Sequence, residues 1–138
     1  MTKTYQSDCV FCKISRHELP AAIIYEDEQV IAFMDAFPST KGHALVVPKS
    51  HHADVLSLPV PDLQAATAIA QRVAQTQKRV LQPDGIIISQ FNGAAAGQTI
   101  FHYHIHVAPR WENQDLEVHG KAQADPADLQ ALAERLKF

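Results

Sequence analysis

No stretch of this chain stays apolar for the roughly 20 residues that a membrane-crossing helix needs. Residues 1–8 are polar where a secretory leader would be apolar. Neither sign of charge dominates: the 138 residues carry a net charge of −3 with histidine neutral, without the basic face of a general nucleic-acid binder. An acidic tail, an internal repeat and a Pro/Gly/Ser-rich linker are also missing. These absences remove nucleic acid and membrane from the expected partners and point to a cytoplasmic protein of one domain, residues 1–138. The two cysteines are too few for a disulfide framework, and a reducing compartment disfavours one.

What is present reads as an α+β pattern. Ile23–Glu26 and Val30–Met34 are short apolar runs around Asp27-Glu28-Gln29, which predicts a hairpin. Residues 44–47 form another strand, opened by Lys41-Gly42 and closed by Pro48. Residues 62–81 repeat Leu63, Ala66, Ala70, Val73 and Ala74 at helical spacing. Pro61 precedes this helix, and Pro83 with Gly85 ends it. Residues 85–90 and 100–108 read as strands, separated by a small-residue loop over 92–99. Asp125 caps a last helix that starts on Pro126 and carries Leu129, Leu132, Ala133 and Leu136 as its apolar stripe. The sum is a mostly antiparallel sheet with one long helix and a C-terminal helix.

The densest chemistry lies in Phe101-His102-Tyr103-His104-Ile105-His106-Val107. On a regular strand His102, His104 and His106 share one face at a spacing of about 6.6 Å, while Phe101, Tyr103, Ile105 and Val107 face a core. Three alternating histidines among the eight of the chain are improbable as a merely solvated face. One metal cannot easily meet all three rings at that spacing. Imidazole acting on phosphorus, with neighbours that hold its tautomer, accounts for them better. One ring can still be borrowed by a metal. The loop Asn92-Gly93-Ala94-Ala95-Ala96-Gly97-Gln98-Thr99 leads into this segment, with small residues that let backbone N–H groups approach an anion and with three polar side chains. Separately, Cys9-Val10-Phe11-Cys12 can be a redox pair, half of a zinc site or inert thiols. The redox reading lacks the preceding strand of a βαβ unit, and zinc needs two more ligands.

Together these segments resemble the histidine-triad (HIT) nucleotide-binding family. The resemblance rests on Gly97-Gln98-Thr99, His102-Tyr103-His104-Ile105-His106, Phe33-Met34-Asp35, Thr40-Lys41-Gly42-His43, Val47-Pro48-Lys49-Ser50-His51 and the cysteine pair. They span a core of residues 8–110, with a longer tail over 111–138 than in the simplest members. The resemblance implies a five-stranded HIT-like sheet and catalysis by His104 as nucleophile, with His106 and His102 beside it. It implies nucleotide contacts from Val10, Phe11, Ile14, Phe33, Asp35, Asn92, Gln98, Thr99, His104 and His106. Asp35 would accept the ribose hydroxyls, and the four apolar side chains, which otherwise read as ordinary core, would wall a purine slot. It implies a structural zinc held by Cys9, Cys12, His51 and His102, with His52 as rival to His51. His17, His43 and His119 are expected to be surface or local-turn histidines. The implied function is a hydrolase or transferase that cleaves at the α-phosphate of a purine nucleotide conjugate. A nucleoside phosphoramidate, a dinucleoside polyphosphate or an aminoacyl-adenylate would pass through a covalent nucleotidyl-histidine to a nucleoside monophosphate such as AMP. The alternatives are a nucleotide-binding regulatory module with little turnover and a metal or redox protein without a nucleotide. A homodimer through the long helix and a sheet edge is also implied.

Overall fold

The Asp27 carboxylate accepts hydrogen bonds from the backbone N–H groups of Gln29 and Val30, both at 2.8 Å. That side chain folds the turn between β1 (Ile23–Glu26) and β2 (Val30–Met34). The computed structural model describes residues 4–115, 117 and 119–138; the start of the polar N-terminal stretch, residues 1–3, lies outside them. With β3 (Ala44–Pro48), β4 (Gly85–Ser89) and β5 (Ile105–Arg110), the strands form a five-stranded sheet in the order β1-β2-β3-β5-β4. Every neighbouring pair is antiparallel, so the α+β expectation holds.

Both faces of the sheet are covered, which is why β2 and β3 are buried at every position and read as unbroken apolar runs. One face presents Val30, Ala32, Met34, Ala44, Val46, Ile105 and Val107. It packs on α2 (Val60–Leu81) through Ala66, Ile69, Ala70 and Val73, and on α3 (Pro126–Leu136) through Ala133 and Leu136. The other presents Ile31, Phe33, Leu45 and Val47 to Phe11 and Ile14 of α1 (Val10–Ser15). Each large side chain so buried stabilises the fold by about 1.5–3 kcal/mol. His106 pairs with Leu45 and so belongs to this second face, which is the face that builds the site. The fully buried Gln77 of α2 fixes the sheet from behind: its Nε2 donates to the carbonyls of Gly42 and Val107, both at 2.9 Å.

Several boundaries differ from the sequence expectation. α2 starts two residues early, at Val60, because Pro61 sits inside the first turn, where its missing N–H costs nothing. β3 runs on to Pro48 and β4 stops at Ser89. α1 was not expected at all. It is six residues long, and its N-cap residue Cys9 makes no side-chain cap bond.

The largest correction concerns the histidine segment. β5 begins only at Ile105, so residues 100–104 are not strand, and His102 does not share a regular strand face with His104 and His106. The register pairs Val46 with Ile105, which would set Pro48 opposite Tyr103. Proline has no N–H to continue the ladder. The Tyr103 N–H goes instead to the His52 carbonyl, at 2.8 Å. The expected partition of the other side chains also fails at Phe101, which is exposed.

Candidate functional site

Freed from the ladder, His102 turns toward the N-terminus. Its Nε2–H donates to the Pro48 carbonyl at 2.7 Å, which leaves Nδ1 bare. That nitrogen lies 3.4 Å from Cys9 Sγ, 3.5 Å from Cys12 Sγ and 3.2 Å from His51 Nδ1. Cys12 Sγ and His51 Nδ1 are 3.3 Å apart. The four donor atoms all lie within 4.8 Å of one another. A tetrahedral zinc would set sulfur and nitrogen about 3.5 Å apart and two nitrogens about 3.3 Å apart, so the donors fit the ion in kind and in spacing. The Pro48 carbonyl is the outer partner that fixes a ligand imidazole's tautomer. His51 is held in place as its N–H donates to the Thr4 carbonyl at 3.1 Å. The rival His52 points its Nε2 at Ser50 Oγ, 3.5 Å away, and stays out of the cluster.

On the same face of the sheet lies a cavity of about 630 Å³. Val10, Phe11, Ile14, Phe33, Asp35, Thr99, His104 and His106 all line it. Phe11 stands edge-on to Phe33 at 5.5 Å and to His104 at 5.0 Å, an apolar corner shaped for a flat ring. His104 donates from Nδ1 to the His102 carbonyl at 2.7 Å, so Nε2 keeps its lone pair. Burial holds this imidazole below its ordinary pKa of 6.5 and therefore neutral.

His43 was expected at the surface and is instead fully buried. Its Nδ1 accepts the Ser39 N–H at 3.0 Å, so the proton sits on Nε2. That N–H faces His106 Nδ1 at 3.0 Å and Asp35 Oδ2 at 3.5 Å. A metal among Asp35, His43 and His106 would need this same nitrogen, so the trio is a hydrogen-bonded chain. His106 accepts at Nδ1 and keeps its own proton on Nε2, which is buried without a protein partner among the described residues. A buried N–H without a partner calls for one. The other Asp35 oxygen accepts the Phe37 N–H at 2.9 Å, and burial raises the Asp35 pKa.

The small-residue loop works differently from expectation. Its N–H groups at Gly93, Ala96, Gly97 and Gln98 are all used inside the loop. Gln98 Nε2 donates to the carbonyls of Ala53 and Ile100, and Asn92 Oδ1 accepts the Val55 N–H at 2.8 Å. Both side chains brace the loop, and neither lines the cavity, whereas Thr99 does. His119, also expected at the surface, lines the cavity from the tail. His17 is the exposed turn histidine foreseen, at φ 60°.

Burial pushes His43 down to about 4 and His106 down to about 3. In the unfolded chain both return to about 6.5, where the unfolded state takes up protons that the folded state refuses. Stability therefore falls as pH drops below 6.5, by up to about 1.4 kcal/mol per pH unit for each ring, until the folded values are reached. The melting temperature should decline steadily from pH 7 to pH 5, and more shallowly in His43→Asn. Parallel slopes in the two proteins would contradict this origin.

A model of the HIT domain family matches residues 16–113. Among solved structures, the chain is similar to a HIT-like protein from Bartonella henselae, described as involved in cell-cycle regulation and crystallised with an unknown ligand. The TM-score is 0.88 at 35% identity, covering 97% of this chain and 98% of that one. It is also similar to a zinc-bound histidine triad family protein from Mycobacterium smegmatis, with a TM-score of 0.80 at 36% identity over 94% of this chain and 95% of that one. Among curated proteins, an adenylylsulfatase of Arabidopsis thaliana is 36% identical over 124 residues, which are 86% of this chain and 63% of that protein.

Proposed function

Since this chain belongs to the HIT domain family, whose solved structures include a nucleotide-binding protein and a hydrolase, we propose that it cleaves a purine nucleotide conjugate at the α-phosphate and releases a nucleoside monophosphate. The observation that carries this reading is the pairing of two ring nitrogens in one cavity. His104 Nε2 is a bare lone pair on a neutral imidazole, and His106 Nε2–H is a buried donor without a protein partner among the described residues. The first is a nucleophile and the second a phosphate anchor. His104 Nε2 attacks phosphorus, the leaving group departs, and water then breaks the P–N bond. Zinc on Cys9, Cys12, His51 and His102 would hold α1 and so seat Val10, Phe11 and Ile14 against the base. Two substrate types fit the same chemistry, nucleoside phosphoramidates and dinucleoside polyphosphates. The adenylylsulfatase of Arabidopsis among its relatives supports an adenylyl group as the part recognised. Release of AMP from adenosine 5′-phosphoramidate and from a diadenosine polyphosphate tests the proposal directly. AMP binding without turnover of either would reduce the chain to a nucleotide-binding module.

Asp35 is the ribose contact in this reading, since it lines the cavity with a carboxylate oxygen turned toward His43. Hydrogen bonds to a charged acceptor contribute about 1.5–3 kcal/mol each. Asp35→Ala should weaken AMP about tenfold or more, while a 2′,3′-dideoxy analogue loses much less. Equal losses would confine Asp35 to the turn at Phe37.

Two copies would pair along β4, one of the two outer strands of the sheet, where Ile88 is exposed beside the alanine-rich side of α2 at Ala68. Light scattering at micromolar protein should return twice the chain mass, and a single peak at the monomer mass rejects the pairing.

A further inference from the structure

The cavity holds one more titratable side chain than the chemistry above employs. Among the described residues no lysine or arginine lines it, and the titratable lining residues are Asp35, His104, His106 and His119. His119 arrives from the tail beyond β5. Its Nε2–H donates to the Gly97 carbonyl at 2.8 Å, and its ring packs on Phe91 and His106, both at 5.5 Å. The next residue, Gly120, lies so close to the Phe37 and Pro38 carbonyls that a Cβ there would overlap both. The Ala124 N–H then donates to the Ala36 carbonyl at 2.9 Å. Residues 119–124 are therefore a strap that crosses from the small-residue loop to the turn after Asp35, and it sets the His119 ring in a defined place.

That place has a mechanistic meaning. The rings of His104, His106 and His119 stand in sequence, with 4.9 Å and then 5.5 Å between neighbouring centroids. In an in-line displacement the leaving group exits opposite the attacking nitrogen, and water later enters from the same side. His104 attacks and His106 holds the phosphate, so His119 lies beyond the phosphate anchor from the nucleophile. With Nε2–H committed to a carbonyl, its Nδ1 is the free nitrogen. No protein hydrogen bond engages Nδ1 among the described residues.

Resting on the hydrolase reading above, we propose that His119 is a further catalytic residue, general acid to the departing group and general base to the incoming water. In the first step the His104 Nε2–P bond forms as the bond from phosphorus to the leaving atom breaks, and the His119 imidazolium gives its Nδ1 proton to that atom. In the second step the water oxygen bonds to phosphorus as the P–Nε2 bond breaks, and the water proton passes to Nδ1. The imidazolium is thereby restored, and only water is consumed.

The test uses two leaving groups. Adenosine 5′-phosphoramidate needs a proton on its leaving nitrogen, whereas the p-nitrophenyl ester of AMP leaves as a stable phenolate. His119→Gln keeps an N–H for the Gly97 carbonyl but has no titrating group. Its kcat/KM should fall by about 100-fold or more on the phosphoramidate and by less than about tenfold on the aryl ester. On the aryl ester it should also show a burst, with adenylylated protein accumulating in intact-mass spectra, because the second step has lost its base. Gly120→Ala lifts the strap and carries the imidazole from its place, so it should reproduce the same asymmetry between the two substrates. If His119→Gln instead lowers both substrates alike and without accumulation, His119 is only a latch and the proposal falls. If the wild-type protein turns over neither substrate, the hydrolase reading fails and takes this one with it.

Discussion

Replacing His104 with alanine should lower AMP release by about a thousandfold or more, while AMP itself still binds measurably by calorimetry. The asymmetry follows from the geometry. The ring brings one bare nitrogen to the cavity, and its removal would delete the proposed covalent step outright. The base corner of Phe11 and Phe33 and the Nε2–H of His106 survive the substitution. A loss of this size is typical for a group that makes and breaks a bond, since no neighbour substitutes for it. His104→Gly with added imidazole should recover part of the turnover, because the cavity left by the ring is open to the free base. Near wild-type release by the alanine variant would move the nucleophile elsewhere, and the neutral tautomer set by the His102 carbonyl would then need a different purpose.

Metal removal should have the second largest effect. One zinc per chain is expected in protein purified without chelator, and Cys9→Ser should lose it. Burial raises the Cys12 thiol to about 11, so without a cation the pocket holds a protonated thiol against two imidazoles. With zinc, thiolates and imidazoles become ligands, and the binding free energy adds to folding stability. The melting temperature should drop by roughly 10–20 °C on chelation, the scale of several kcal/mol in a domain of this size. AMP should bind more weakly too, because Cys9 and Cys12 bracket Val10 and Phe11 and the same short helix carries Ile14 into the cavity. Turnover per bound nucleotide should persist, since His104 is not a ligand. Metal analysis showing no zinc in the wild type would leave two plain core thiols. Unchanged zinc in Cys9→Ser would place the ion among the cavity histidines.

The parts of this fold that were legible are those set by local physics. The β1–β2 hairpin announces itself through Asp27, α3 through the Asp125 cap, whose carboxylate accepts the Ala127 N–H at 2.8 Å, and α2 through its alanine-rich spacing. Helix α1 was invisible because six residues hold less than two turns of periodicity and no side chain caps them. The end of β5 was misplaced because the cause sits in another strand: Pro48, more than fifty residues away, cannot continue the ladder. His43 carried a usable signal, since it opens directly into a strand apolar at every position and buried on both faces. His119 carried none. Its place depends on Gly120 nesting against the backbone at Phe37 and Pro38, a long-range fit that no spacing within the tail encodes.

The carbonyl of His102 accepts from the proposed nucleophile, while the ring of the same residue enters the Cys/His cluster that would hold the zinc. One amino acid thus carries two assignments on different atoms, and the two centres are wired together through its own covalent frame. A change in charge on His104, such as the proposed gain of a nucleotidyl group, would alter the hydrogen bond at that oxygen and with it the setting of the whole residue. Cobalt(II) in the zinc position would give this wiring an optical output. Its visible absorption bands should shift while the ring two residues along is loaded and return when it is cleared, a colour change that reports each turnover from outside the cavity where the chemistry takes place.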